Sequence, residues 1–343
     1  MMEKFQQQRV VIIGAGLNGT SILKRLVQLP QKYKTRVVAV VDPLQKTRKQ
    51  IERMLPKNTK ERTHVVPNLS ALSALPQEEQ PTVAVVTVPA KYQVSTIQTC
   101  LKKGWHCLSE KPLGFSTLDC KELQNLAKKQ KVKLRVLLPE RWSLAQLWSH
   151  WKPKKGPWTI NALRSGPFLP RSADTNVLHD MMIHDIDMFL LISEVFEMAS
   201  IKKIRAWGRK LRSQNLDYAI VAFDLEDGGM ARFFSSKLST EIRRSWEMTG
   251  PDWHSTIDFK NNEMLKFSAQ KRGRLFDAKK SKWGSADPLN HAVKAFLHQV
   301  NDHTAAQKYD FSQLSSLSVA PRNILRTHQL MDRILGKIQV IPN

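Results

Sequence analysis

The sequence predicts an α/β protein in two parts. Residues 1–139 read as a doubly wound parallel sheet, and residues 140–343 as an α+β domain with an open, mainly antiparallel sheet and C-terminal helices. Three observations predict this. Up to about residue 138, short apolar runs alternate with helix-like segments, and the runs are continuous, the pattern of strands covered on both faces. The first run ends in a glycine-rich turn that opens a helix. After about residue 140, strand-like runs are joined by hairpin turn residues instead. A chain of 343 residues accommodates two such domains.

In chain order, "VVIIGAG" (10–16) is a β-branched run closed by glycines, and "LNGTSILKRLVQL" reads as a helix that Pro30 stops. "RVVAVVDP" (36–43), "TVAVVTVP" (82–89), "HCLSEKP" (106–112) and "VKLRVLLP" (132–139) are the further strands. Ser116 with Asp119 has the form of a capping box for the helix "STLDCKELQNLAKK". In the second part an oily helix carries Asp180, His184 and Asp187. It is followed by the strand-like "IKKIRAWG", "LDYAIVAFDLEDGGMARFFSSK", "RRSWEMTG" and "HSTIDFKNNEMLKFSA", with hairpins at "EDGG" and "KNNE". "DPLNHAVKAFLHQVND" and "APRNILRTHQLMDRIL" are helical and close the chain.

Lys and Arg number 54 against 30 Asp and Glu, a formal net charge of +24. That balance favours anionic partners: nucleic acid, an acidic membrane face, or phosphate-bearing small molecules. The basic residues are dispersed, with modest clusters at "KTRKQ" (46–50), "KPKK" (152–155), "IRAWGRKLR" (204–212) and "KRGRL" (271–275). No helix-turn-helix, zinc-finger spacing or aromatic-rich RNA motif accompanies them, so no specific nucleic-acid partner is expected. The apolar runs are too short or too interrupted to span a bilayer. Cys100, Cys107 and Cys120 are an odd count without framework spacing, and "MMEKFQQQRV" has no apolar signal region; a cytoplasmic setting is the expectation.

"GAGLNG" places Gly14, Gly16 and Gly19 in G-x-G-x-x-G spacing between a strand and a helix, the context of a dinucleotide-binding Rossmann turn. Leu17 and Asn18 within it are further cofactor candidates. Asp42 ends the second strand about 20 residues beyond the last glycine, where a carboxylate can accept hydrogen bonds from the ribose hydroxyls or cap the next turn. An acid there repels a 2′-phosphate and favours NAD over NADP, while nearby Arg48 keeps NADP open. Pro89, and Glu110 and Lys111 of "SEKPLG", lie beyond the carboxyl ends of strands, where open α/β sheets bind ligands. Lys111 would project toward the nicotinamide.

Asp180, His184 and Asp187 stand at i, i+4 and i+7, one face at helical pitch. Buried without partners, such groups cost roughly 2–7 kcal/mol each, so partners or a ligand must meet them. A hydroxyl can lose hydride only if its proton leaves too; His184 is the acceptor, with Asp180 orienting it or the substrate. The Lys111 ammonium would stabilise negative charge developing on the oxygen. Asp and His at i and i+4 can also hold a cation, but no further ligand cluster is evident and no metal is assigned.

With "GAGLNG", "EKP" and D-x-x-x-H in this order, the chain resembles the Gfo/Idh/MocA family of oxidoreductases over nearly its whole length. The resemblance implies a second domain whose open sheet often builds the oligomer interface, hence a homodimer or homotetramer. "PERWS" (139–143), "ALRSGPFLPRSADTNVLHDMMIHDIDMFL" (162–190), "SSKLSTEIRRSWEMTG" and "ADPLNHAVKAFL" are similar to the UDP-N-acetylglucosamine 3-dehydrogenase branch, which supplies a 3-keto sugar for diamino lipid A synthesis. That similarity implies Lys111, Asp180 and His184 as the catalytic set, and puts Arg141, Arg164, Arg171 and Asp187 in substrate-facing segments. A downstream aminotransferase would be the partner. Trp142, Ser143, His179 and Gln93 depart from the branch's usual residues. The expected function is NAD-dependent oxidation of the 3-hydroxyl of UDP-N-acetylglucosamine. The alternatives are another sugar, polyol or carbonyl oxidoreductase of the family, and a non-catalytic dinucleotide sensor with a basic binding surface.

Overall fold

In the computed structural model, described over residues 7–60, 62–150, 156–268, 277–283, 287–301 and 321–342, the chain forms two compact units. The first holds residues up to Gly114, Leu118–Leu138 and the segment beginning at Asp287. Its sheet is built from β1 (Gln8–Ile13), β2 (Thr35–Val41), β3 (His64–Val66), β4 (Val83–Val86), β5 (His106–Ser109) and β6 (Leu134–Val136). All pairings are parallel, in the order β3-β2-β1-β4-β5-β6, so the order reverses between β1 and β4. Helices α1 (Leu17–Val27), α2 (Gln45–Met54), the short α3 (Lys57–Lys60), α4 (Ala90–Lys102) and α5 (Thr117–Lys129) connect the strands. Val10, Ile12, Val37, Val40, Val83 and Val85 are buried, as parallel strands covered on both faces require.

The edge strand β3 was not foreseen; three residues bounded by loops carry too little periodicity to read. A second difference concerns the boundary. Helix α8 (Pro288–Asn301) packs with the first unit and not with residues 140–286, and Phe115–Thr117 go with the second. Val293, Phe296 and Leu297, spaced i, i+3 and i+4, are buried in the core that contains β1. Each such side chain contributes about 1.5–3 kcal/mol on burial. Gln8 Nε2 donates to the Leu297 carbonyl at 2.6 Å, and Arg25 pairs with Asp287 at 2.6 Å.

The second unit is built on a nine-stranded sheet: β7 (Thr159–Ser165), β8 (Ile201–Arg209), β9 (Tyr218–Leu225), β10 (Met230–Ser236), β11 (Arg243–Gly250), β12 (Trp253–Asp258), β13 (Glu263–Ser268), β14 (Asp277–Lys282) and β15 (Ile338–Val340). Its order is β14-β13-β12-β11-β7-β10-β9-β8-β15, with β7/β10 and β8/β15 parallel and the rest antiparallel. The hairpins at Glu226–Gly229 and Lys260–Asn262 fall where the turn residues put them. Along β9, Ala219, Val221, Phe223 and Leu225 are buried while Tyr218, Ile220, Ala222 and Asp224 are half-buried, the alternation of a sheet covered on one face. The buried face meets Phe189 and Ile192 of helix α7 (Ile183–Val195). Helices α6 (Glu140–His150) and α9 (Pro321–Leu335) both pack against α7.

Candidate active site

The glycine-rich turn of the first unit is shaped for close backbone approach. Gly14 has φ +88°, a conformation that favours glycine, and a Cβ there would lie 2.8 Å from the Thr87 carbonyl oxygen. At Gly19 a Cβ would lie 2.0 Å from the Gly14 oxygen, so β1, α1 and the end of β4 meet with no room for a side chain. Gly16 differs: a Cβ there would meet nothing within 4 Å. It caps α1 without a side-chain hydrogen bond, and no acidic residue stands in the first turn. An open space in front of helix N–H groups is what a pyrophosphate needs, so the turn fits a dinucleotide. Leu17 is exposed, and Asn18 Nδ2 donates to Glu110 Oε1 at 3.1 Å.

Asp42 is buried, and its carboxylate does structural duty. Oδ2 accepts from the Ala15 amide at 2.8 Å and Oδ1 from the Leu44 amide at 2.9 Å, tying the glycine turn to the end of β2. The turn-capping role weighed from sequence is therefore real, and ribose hydroxyls would share oxygens already in use. Arg48 reaches the Asp42 and Pro43 carbonyls at 2.8 Å, which sets its guanidinium beside that strand end. Pro89 caps α4 beyond β4. Glu110 and Lys111 follow β5, and the Lys111–Pro112 peptide is cis. Gln93, buried on α4, donates to Ser109 Oγ at 2.7 Å and to the Glu110 carbonyl, so this departure from the family pattern braces the "EKP" turn.

In the second unit the segment with Asp180, His184 and Asp187 is not one regular helix. Asn176 caps its start, with Oδ1 accepting the His179 amide at 2.9 Å, and Leu178–Met182 then make a π-helical turn before α7. The π-helical turn contains Asp180, whereas His184 and Asp187 stand in the regular helix that follows. His184 and Asp187 face the start of α6, where Glu140 Oε2 lies 2.8 Å from His184 Nδ1. Asp180 lies 3.7 Å from the ammonium of Lys237 instead. Glu140 is thus a carboxylate beside the His184 ring; the sequence offers Asp180 to orient either His184 or the substrate. Glu140 lies in the "PERWS" segment, where the sequence assigns it no role. Its one visible signal is an acid in a helix's first turn, and nothing in a single sequence links it to His184.

Glu140 belongs to a charged chain. Arg164 NH1 lies 3.1 Å from Glu140 Oε1, and Arg164 binds Asp185 through Nε at 2.7 Å and NH2 at 3.1 Å. The Trp246 indole N–H also donates to Asp185, at 2.9 Å. Burial alone would raise the Glu140 carboxyl. His184, Arg164 and Arg244, the last at 3.9 Å, outweigh it and hold the group well below its ordinary range. Burial likewise opposes the Arg164 charge, and Asp185 with Glu140 overcomes it, raising that group.

Three residues that the resemblance put in substrate-facing segments, Arg141, Asp187 and Arg164, are buried in ion pairs. Arg141 and Asp187 form a buried two-pronged ion pair, Nε–Oδ2 and NH2–Oδ1 both 2.5 Å, and the Thr327 hydroxyl donates to Asp187 at 2.8 Å. They join α6, α7 and α9, because a charge in that interior requires a partner of opposite sign. Arg164 is buried as the hub described above. Arg171 is in the short turn Pro170–Ser172, and its side chain lies outside the described residues. Among the described residues no three His, Cys, Asp or Glu side chains gather as a metal cage.

Comparison with known proteins agrees with this architecture. Residues 8–138 match the model of the Gfo/Idh/MocA oxidoreductase family, NAD-binding Rossmann fold. A UDP-N-acetylglucosamine 3-dehydrogenase of Acidithiobacillus ferrooxidans is 29% identical over 203 residues, which span 59% of this chain and 62% of that relative. A crystal form of that organism's UDP-N-acetylglucosamine 3-dehydrogenase GnnA superposes with TM-score 0.76 at 21% identity, covering 97% of this chain and 98% of the other. KijD10, a 3-ketoreductase from Actinomadura kijaniata in complex with NADP and TDP-benzene, superposes with TM-score 0.76 at 16% identity over 98% and 99% of the two chains. The fold is therefore shared along nearly the whole length.

Proposed function

We propose that this chain, whose residues 8–138 match the Gfo/Idh/MocA oxidoreductase family, is a dehydrogenase that oxidises a secondary hydroxyl of a nucleotide sugar, namely the 3-hydroxyl of UDP-N-acetylglucosamine, with NAD. The observation that carries the reading is the His184–Glu140 contact of 2.8 Å. A carboxylate kept ionised 2.8 Å from Nδ1 favours the proton on that nitrogen and leaves Nε2 to take the one that the alcohol must lose. It also meets the charge of the imidazolium that forms. Asp180 orients the substrate hydroxyl, and the Lys111 ammonium stabilises charge on the reacting oxygen. Gly14, Gly16 and Gly19 hold the dinucleotide, which accepts the hydride when bound. The curated relative supports the substrate class.

The test is NADH formation from NAD and UDP-N-acetylglucosamine, coupled to an aminotransferase that removes the keto product. Turnover that falls roughly 100-fold in His184→Ala, with NAD affinity kept, is expected; no turnover in the unaltered protein overturns the substrate. One observation favours a second cofactor reading. The Asp42 carboxylate is occupied by backbone amides and Arg48 sits beside it, an arrangement that also tolerates a 2′-phosphate. The ratio of kcat/KM for NAD and NADP decides between them. The half-buried row Trp207, Ile220, Phe234 and Leu163, in cross-strand register on the outer sheet face, supports a homo-oligomer. Light scattering reads its size.

A further inference from the structure

Lys237 follows β10, and its side chain is 2% exposed. A buried ammonium is destabilising unless its charge and its three donors are met. Nζ–H groups donate to the Ser172 carbonyl at 2.6 Å and to the Thr175 carbonyl, and Asp180 Oδ2 lies 3.7 Å away. The carbonyls belong to the turn that carries Arg171 and leads into Asn176, the cap of the helix that holds Asp180.

The lysine is itself anchored. Its amide donates to the Asp217 carbonyl at 2.9 Å, and the Asp217 carboxylate gathers the amides of Leu211, Arg212 and Ser213 at 2.7–2.9 Å. The same loop braces the turn twice more. Asn215 Nδ2 donates to the Ala173 carbonyl at 2.9 Å, and the Arg212 guanidinium lies 5.0 Å from the Phe168 ring. A compact ammonium suits two carbonyls and a carboxylate approaching from separate directions, which the planar fork of arginine does not. Methionine would leave all three acceptors without this donor.

We propose that Lys237 is a positioning residue: its ammonium fixes the Asp180 carboxylate to the 170–176 turn, so that the two address substrate as one body. This rests on Asp180 as the group that orients the substrate hydroxyl. A displacement of about 1 Å in such a group costs on the order of 100-fold in rate.

The test compares Lys237→Met, Lys237→Arg, Asp180→Asn and the Lys237→Met/Asp180→Asn double variant in the full chain, reading kcat, KM, NAD affinity and amide hydrogen exchange. Lys237→Met is expected to lower kcat by roughly 10- to 100-fold with NAD affinity kept, Lys237→Arg to recover part of that loss, and the double variant to be no slower than Asp180→Asn alone. Losses that multiply in the double variant overturn the proposal. Should the unaltered protein not turn over UDP-N-acetylglucosamine, the substrate reading fails separately and exchange decides. Faster exchange at both Thr175 and Asp180 in Lys237→Met supports the coupling; unchanged exchange at Asp180 overturns it.

Discussion

At the scale of single residues, chemistry and architecture divide one short segment. His184 turns to Glu140, whereas Asp185 and Asp187 are each matched to a buried arginine. Removing one partner of a buried pair leaves the other charge uncompensated, a loss of about 3–5 kcal/mol. Asp187→Asn is therefore expected to lower stability by that order in denaturant unfolding, leaving any turnover of the folded fraction near normal. Glu140→Gln should do the reverse in kind: kcat falls roughly 10- to 100-fold with little change in NAD affinity, since the lost group acts on the proton acceptor. Steady-state kinetics beside NAD titration checks it, and an unchanged kcat would remove Glu140 from the mechanism. His184, Asp180 and Lys111 were legible as residue types that alcohol oxidation requires. Glu140 and Lys237 were not, because each meets its partner across a long stretch of chain and neither stands in a periodic pattern.

At the scale of elements, the glycine turn separates fold from cofactor. Gly19→Ala would drive a Cβ to 2.0 Å from the Gly14 oxygen, so melting temperature and NAD affinity should drop together. Gly16→Ala has space for its Cβ and an ordinary backbone, φ −66°, so the fold should keep its melting temperature. The added methyl occupies the space before the helix N-terminus, and NAD affinity alone should fall. Calorimetry and NAD titration on the two variants read the contrast; equal behaviour would remove the turn as the pyrophosphate site. The strands of the first sheet other than β3 were readable because parallel strands are continuous apolar runs. Central strand β7 was not, since Asn161 and Arg164 interrupt its pattern and only Asp185, brought by α7, makes an arginine there tenable.

At the scale of the molecule, the dispersed basic charge and a few depressed carboxyls set the response to acid. In Glu140, His184 and the arginines overcome burial; in Asp217 and Asp287, burial is overcome by the hydrogen bonds each accepts, with Arg25 adding to Asp287. All three titrate lower in the folded chain than in the unfolded one, whose ordinary values are 4.5 for Glu and 3.8 for Asp. Their stabilisation is fully present above those values and is lost as pH falls below them, when the unfolded chain binds protons first. The melting temperature should hold from neutral pH to about 5 and then decline, less steeply in Glu140→Gln than in the unaltered protein. A melting series across that range reads it, and identical slopes in the two proteins would show that Glu140 carries no such linkage.

The sequence by itself determined the doubly wound first domain, the glycine turn and the hairpins of the second sheet, because these rest on local periodicity and short spacings. Only the tertiary structure decided that α8 completes the first core, that Asp180 lies beside Lys237, and that Glu140 stands beside His184 while Arg141 and Asp187 hold each other. Those outcomes depend on which distant groups share a buried volume, where a charge must find its opposite, and no spacing along one chain encodes that choice.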